Sequence, residues 1–147
     1  MTERVVVDAS LLVGFLIAAD HAGETSALLG TEVELWVPDI APVEATNALR
    51  KLALQRRISD QVACALFDRL ELLELTQAPA AVLLRGAWGM RGAMTVYDGC
   101  YADLALALTC PLVTLDRRFA RACAPYGIRA IVPGTRAFTE LLDSIED

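Results

Sequence analysis

The alternation of apolar and polar positions divides the chain into short unbroken apolar runs and longer stretches with a helical repeat. Val5-Val6-Val7, Leu35-Trp36-Val37, Leu72 to Leu75, Leu112-Val113-Thr114 and Ile128 to Val132 have the length and composition of buried strands. Helical periodicity covers Ser10 to Leu16, Ala22 to Leu29, Pro42 to Arg57, Ser59 to Leu70, Pro79 to Trp88, Tyr97 to Leu108, Arg117 to Ala122 and Arg136 to Asp147. Strands alternating with helices predict an α/β fold whose parallel sheet is covered on both faces.

Local chemistry supports these boundaries. Asp39 stands three residues before Pro42, Ser59-Asp60 precedes an apolar-periodic segment, Gly30 and Gly127 follow helices, and Pro133-Gly134 closes the last strand. No repeat, linker or low-complexity tract interrupts the pattern, which predicts one domain over residues 1–147. The acidic end of the last helix, LLDSIED, reads as solvated.

Composition adds that 55 % of the residues are hydrophobic, enough for a real core and against disorder. The excess predicts that some apolar surface meets a partner. The apolar stretch after Arg4 resembles a leader, but Asp8 sits within it and Ala18-Ala19-Asp20 offers no clean cleavage site. Runs such as LALALTCPLVTL are shorter than the roughly 18 residues of a spanning helix, so the expectation is a cytoplasmic protein without membrane association. Cys64, Cys100, Cys110 and Cys123 have no CxxC spacing and read as buried, reduced thiols. With His21 as the single histidine, zinc sites and histidine-pair catalysis are excluded. Chemistry must come from carboxylates.

VVVDAS places Asp8 directly after the first strand, and LVTLDRRFA places Asp116 just after the fourth. Ligands of an open parallel sheet bind outside the carboxyl ends of its strands, where the strand order reverses. Glu44, in the first turn after the second strand, and Asp98, opening the helix at Tyr97-Asp98-Gly99, reach the same edge. Asp8, Asp98 and Asp116 also occupy positions suited to helix N-caps, and Glu44 suits a helix N-terminus. Four acids in one small volume would nevertheless repel each other and need a counter-charge. Oxygen donors without histidine or paired thiolates select a hard cation, Mg²⁺ or Mn²⁺, which suits phosphodiester hydrolysis. Ser10 and Thr114 can hydrogen-bond the acids, and Asn47 lies three positions after Glu44 on the same helix face.

Taken in order, VVVDAS, PVEATNALRK, VYDGCYADLALA and LVTLDRRFA resemble the PIN domain of VapC-type toxins over essentially the whole chain. The resemblance implies a three-layer α/β/α domain with a central, mainly parallel five-stranded sheet. It also implies a Mg²⁺- or Mn²⁺-dependent endoribonuclease acting on structured RNA such as tRNA or rRNA, a homodimer, and inhibition by a cognate VapB-type antitoxin. On this resemblance Asp8, Glu44, Asp98 and Asp116 are the catalytic and metal-binding quartet, Asp8 and Asp98 foremost, with Ser10, Asn47 and Thr114 as polar support.

The chain departs from the family pattern at Gly99 and Asp103, where small apolar residues are more usual. Asp103 is five positions after Asp98, roughly 140° round the helix, so it should leave the metal face and stand exposed. Charge is the second departure, because net −6 is unfavourable for gripping RNA and setting the quartet aside still leaves about −2. Local clusters must do the gripping: Arg50, Lys51, Arg56 and Arg57 on one helix, Arg117, Arg118 and Arg121 after Asp116, and Arg85 with Arg91 around GAWGM. Trp36 reads as core strand, Trp88 with Met90 and Met94 as packing or dimer surface, and Tyr97 with Tyr101 as a pair one turn apart.

Two other readings compete. A phosphoryl-accepting aspartate, as in haloacid dehalogenase-type phosphatases or receiver domains, needs a second adjacent acid and a late lysine that VVVDAS and LVTLDRR lack. A non-catalytic PIN-like module that only binds RNA or protein would keep the acids as caps.

Overall fold

The computed structural model describes residues 3–18 and 21–147. Ala19 and Asp20 of the leader-like stretch lie outside the described residues. Five strands form one sheet in the order β3-β2-β1-β4-β5: β1 (Arg4–Val7), β2 (Glu34–Pro38), β3 (Thr76–Ala78), β4 (Leu112–Val113) and β5 (Ala130–Ile131). Every pairing is parallel, with Val6 of central β1 opposite Trp36 on one side and Leu112 on the other. Val5, Val6, Val7, Leu112 and Val113 are buried, as expected of strands covered on both faces.

Eight helices among the described residues cover the sheet: α1 (Ala9–Leu16), α2 (Ala22–Leu29), α3 (Ala41–Leu54), α4 (Asp60–Glu71), α5 (Leu84–Gly89), α6 (Val96–Leu108), α7 (Arg117–Cys123) and α8 (Arg136–Glu146). Hydroxyl caps begin three of them, with Ser59 accepting from Val62 N–H, Thr95 from Asp98 N–H and Thr135 from Phe138 N–H. No helix among the described residues is long and apolar enough to cross a membrane. Leu11, Leu12, Tyr101 and Phe138 fill the main core beside the sheet, while Leu16, Ala45, Leu49, Leu66 and Leu70 form a smaller cluster.

The third strand differs from its expected place. Leu72 to Leu75 is the turn after α4, with Leu72 at the helix C-terminus and 80 % exposed, whereas the strand begins at Thr76. An edge strand needs no continuous apolar run, so Thr76 and Gln77 stay exposed and the leucines misled the periodicity. Asp39 does not cap α3; its Oδ1 accepts Ala80 N–H at 2.9 Å and fastens the chain after β3. Pro79 to Trp88 is a 3₁₀ turn, Ala80–Val82, followed by α5.

Several side chains also depart from the expectations. Cys64 is exposed, so only Cys100 and Cys123 are fully buried thiols. Trp36 is half-buried and donates to the Glu34 carboxylate at 3.1 Å, because its strand neighbours the edge. Met90 is core, as packing required, while Trp88 is exposed under the Arg91 guanidinium, 4.5 Å from the ring centroid, where only its dimer-surface alternative fits. Tyr97 and Tyr101 part company, at 64 % and 0 % exposure. Asp103 is half-buried over Gly86, in the space a side chain at that position would take.

Close approach of α5 to α6 depends on Gly99, where a Cβ would lie 2.8 Å from both Cα and Cβ of Ala87. Gly99→Ala should therefore cost about 1–3 kcal/mol by overpacking. Gly89→Ala, which meets nothing within 4 Å, should cost nothing. Thermal melts of the two variants check this, and equal melting temperatures would overturn it.

Candidate active site

Strands β2 and β3 extend the sheet to one side of β1, and β4 and β5 extend it to the other, so the order reverses between β1 and β4. Asp8 follows β1 and Asp116 follows β4, flanking that reversal at the carboxyl edge. Glu44 lies in the first turn of α3 and Asp98 in the first turn of α6. Asp98 is not the cap, because Thr95 takes that place.

Asp8 occupies the N-cap position of α1 yet makes no cap hydrogen bond. Its Oδ2 instead accepts two hydroxyls, from Thr114 at 2.7 Å and Ser10 at 2.8 Å. Each hydroxyl has one proton and spends it on Asp8, so both oxygens remain acceptors. Ser10 Oγ accepts Leu115 N–H at 3.2 Å, and Thr114 Oγ1 accepts Asp116 N–H at 3.0 Å. This network stitches the ends of β1 and β4 together. Asp116 alone among the four acids caps with its side chain, its Oδ1 accepting Arg118 and Phe119 N–H. Tyr101 Oη donates to Glu44 Oε1 at 2.8 Å. Asn47 is exposed and, among the described residues, hydrogen-bonds none of the four carboxylates.

The acids sense one another without converging. Burial pushes the Asp98 carboxyl up to about 6, reinforced by the charges of Asp8, Asp116 and Glu44. Burial likewise raises Asp8, against the hydroxyls of Thr114 and Ser10, and the Asp116 charge adds to it. Glu44 is raised by burial, opposed by the Tyr101 hydrogen bond. Burial and the neighbouring acids hold the Tyr101 phenol far above its usual range, so it stays a donor. The expected single small volume is not formed: among the described residues no three acids are grouped closely enough to hold one ion. Asp8, Glu44 and Asp116 each have a separate hydrogen-bond partner.

Beside the acids, Ala9, Val13, Gly14, Ile17, Ala48 and Leu115 line an apolar cleft of about 530 Å³ that Glu44 and Asp116 border. A separate cleft of about 600 Å³ lies at the opposite, amino edge between Arg4, Glu34, Thr109 and Arg129. Arg117 and Arg118 follow Asp116 in the first turn of α7, and Arg50 and Lys51 are exposed along α3 about 9 Å beyond Glu44. The sequence reading missed Tyr101 as Glu44's partner. Its three-residue spacing from Asp98, which puts both on one face of α6, was the available clue.

The shifted acids fix a pH dependence. A carboxyl whose folded value exceeds its unfolded one binds more protons when folded, so stability falls as pH rises between the two. In EDTA the melting temperature should fall between about pH 4 and about pH 6, Asp98 contributing most clearly. Asp98→Asn should flatten that slope, and an unchanged slope in the variant would overturn the assignment.

The model of the PIN domain family matches residues 5–125. VapC ribonuclease Mb0985 of Mycobacterium bovis is 32 % identical over 114 residues, covering 78 % of this chain and 87 % of that protein. Ribonuclease VapC1 of Mycobacterium tuberculosis is 33 % identical over 121 residues, covering 82 % and 91 % respectively. The crystal structure of PAE2754 from Pyrobaculum aerophilum superimposes with a TM-score of 0.66 at 23 % identity, covering 98 % of this chain and 90 % of that one, which supports the shared fold. With the family model spanning most of its length and VapC relatives covering nearly all of theirs, the chain belongs to the PIN-domain family and to its VapC group.

Proposed function

We propose that this chain is a divalent-metal-dependent endoribonuclease acting as the toxin of a toxin-antitoxin pair. The observation that carries the reading is the placement of Asp8, Glu44, Asp98 and Asp116 around the reversal point of the sheet, near enough for the other three charges to raise Asp98, in a chain whose relatives are named VapC ribonucleases. Four hard oxygen donors whose ionised forms repel suit Mg²⁺ or Mn²⁺. Asp8, Glu44, Asp98 and Asp116 would hold the ion. When bound, it would polarise a phosphoryl oxygen and make a neighbouring water more acidic.

The chain's own residues prepare this chemistry. Ser10 and Thr114 anchor one oxygen of Asp8, leaving Oδ1 outside their hydrogen bonds. The α7 N–H groups orient Asp116 through Oδ1. Arg117 and Arg118, with Arg50 and Lys51, give the flanks of an otherwise acidic protein the positive charge that an RNA backbone needs. Structured tRNA or rRNA is the proposed substrate and a VapB-type antitoxin the proposed partner. The proposed state is a cytoplasmic homodimer of one-domain protomers.

The wider spacing of the acids also suits a second reading, a module that binds RNA without cutting it. Incubating purified tRNA and rRNA with partner-free protein in Mg²⁺, Mn²⁺ or EDTA separates the two. Discrete fragments that require metal are expected; intact RNA that is nevertheless retained by the protein would favour the binding module.

A further inference from the structure

We propose that Tyr101 is the positioning residue for Glu44, fixing one oxygen of its carboxylate and leaving the other for a cation. This rests on the proposed function, since it assigns a role within that site. Tyr101 is fully buried in α6, and its phenol donates to Glu44 Oε1 at 2.8 Å across 57 residues of sequence. Packing alone does not call for the hydroxyl. A phenylalanine would fill the same core space without a polar group that burial obliges to find a partner.

The bond also answers a need of Glu44. A glutamate has three side-chain torsions, and Glu44 is half-buried in the first turn of α3. Left free, it would lose rotamer entropy on each binding event. Pinning Oε1 meets that cost during folding and leaves Oε2 outside this bond. Tyr101 stands three positions after Asp98 on the same face of α6. One helix thus delivers an acid of its own and the support for an acid on another helix. Ser10 and Thr114 treat Asp8 in the same manner, so two of the four acids each have one oxygen anchored by hydroxyl donors.

The test is a double-mutant cycle on Mn²⁺ affinity, read from the free-Mn²⁺ paramagnetic resonance signal, with metal-free melts alongside to verify folding. Tyr101→Phe should weaken Mn²⁺ binding about tenfold. In a Glu44→Ala background the same change should alter affinity less than about twofold, because its target is gone. On RNA, Tyr101→Phe should lower kcat with little change in KM. Unaltered Mn²⁺ affinity in Tyr101→Phe, beside a loss in Glu44→Ala, overturns the role of Tyr101 alone. Equal losses with and without Glu44 overturn it as a purely structural effect. No Mn²⁺ binding by the unmodified protein overturns the metal site and this role with it.

Discussion

Asp98→Asn should reduce metal-dependent RNA cleavage by about 10²–10³-fold while raising the melting temperature of the metal-free protein. The activity loss follows from removing one negative donor where a cation would stabilise phosphoryl charge, about 3–4 kcal/mol of barrier. The stability gain follows from the opposite side of the same electrostatics. Burial and the charges of Asp8, Asp116 and Glu44 already push the Asp98 carboxyl up to about 6, so its ionised form is unfavourable at neutral pH. Asparagine keeps the shape and drops the charge. Allowing for solvent screening of a half-buried group, the gain is about 1 kcal/mol above pH 6. Cleavage within about threefold of the unmodified protein would remove Asp98 from the site. A lower metal-free melting temperature would refute the repulsion.

Millimolar Mn²⁺ should raise the melting temperature by about 5–10 °C at pH 7, and EDTA should reverse it. A ligand present at one hundred times its dissociation constant adds about 2.7 kcal/mol to the folded state, and a chain of this size gains about 2–4 °C per kcal/mol. The four acids make the effect pH-dependent. Protons compete with the cation for Asp98 below about 6, so the shift at pH 5 should be clearly smaller. A shift under about 1 °C with both Mg²⁺ and Mn²⁺ would count against any cation site here. The Asp8→Asn variant should lose most of the response while keeping its fold.

The fold was legible wherever burial on both faces imposed continuous apolar runs, as at Val5-Val6-Val7 and Leu112-Val113. It was illegible at β3, where an exposed edge relaxes that demand and Leu72 to Leu75 imitates a strand while forming a turn. The acids were legible from their position after β1 and β4 and at two helix starts, because connectivity alone fixes which sheet edge they reach. Their partners were not equally so. Ser10 and Thr114 are near Asp8 and Asp116 in sequence, and their hydroxyls were readable as support. Tyr101 meets Glu44 only through the packing of α6, which no local pattern encodes. Asn47 shows the converse, since sharing a helix face with Glu44 did not bring its amide to the carboxylates.

The central place of β1 has a consequence for biosynthesis. Its neighbour β4, with Thr114 and Asp116, is translated about 110 residues after Asp8, roughly 5–20 s later at ordinary elongation rates. Until then β1 has an unpaired edge, and Asp8 lacks the Thr114 hydroxyl that anchors it. A nascent chain therefore carries Asp8, Glu44 and Asp98 in turn without the fourth acid. On the proposed function, the site therefore stays incomplete until β4 and Asp116 have been made and β4 has paired with β1.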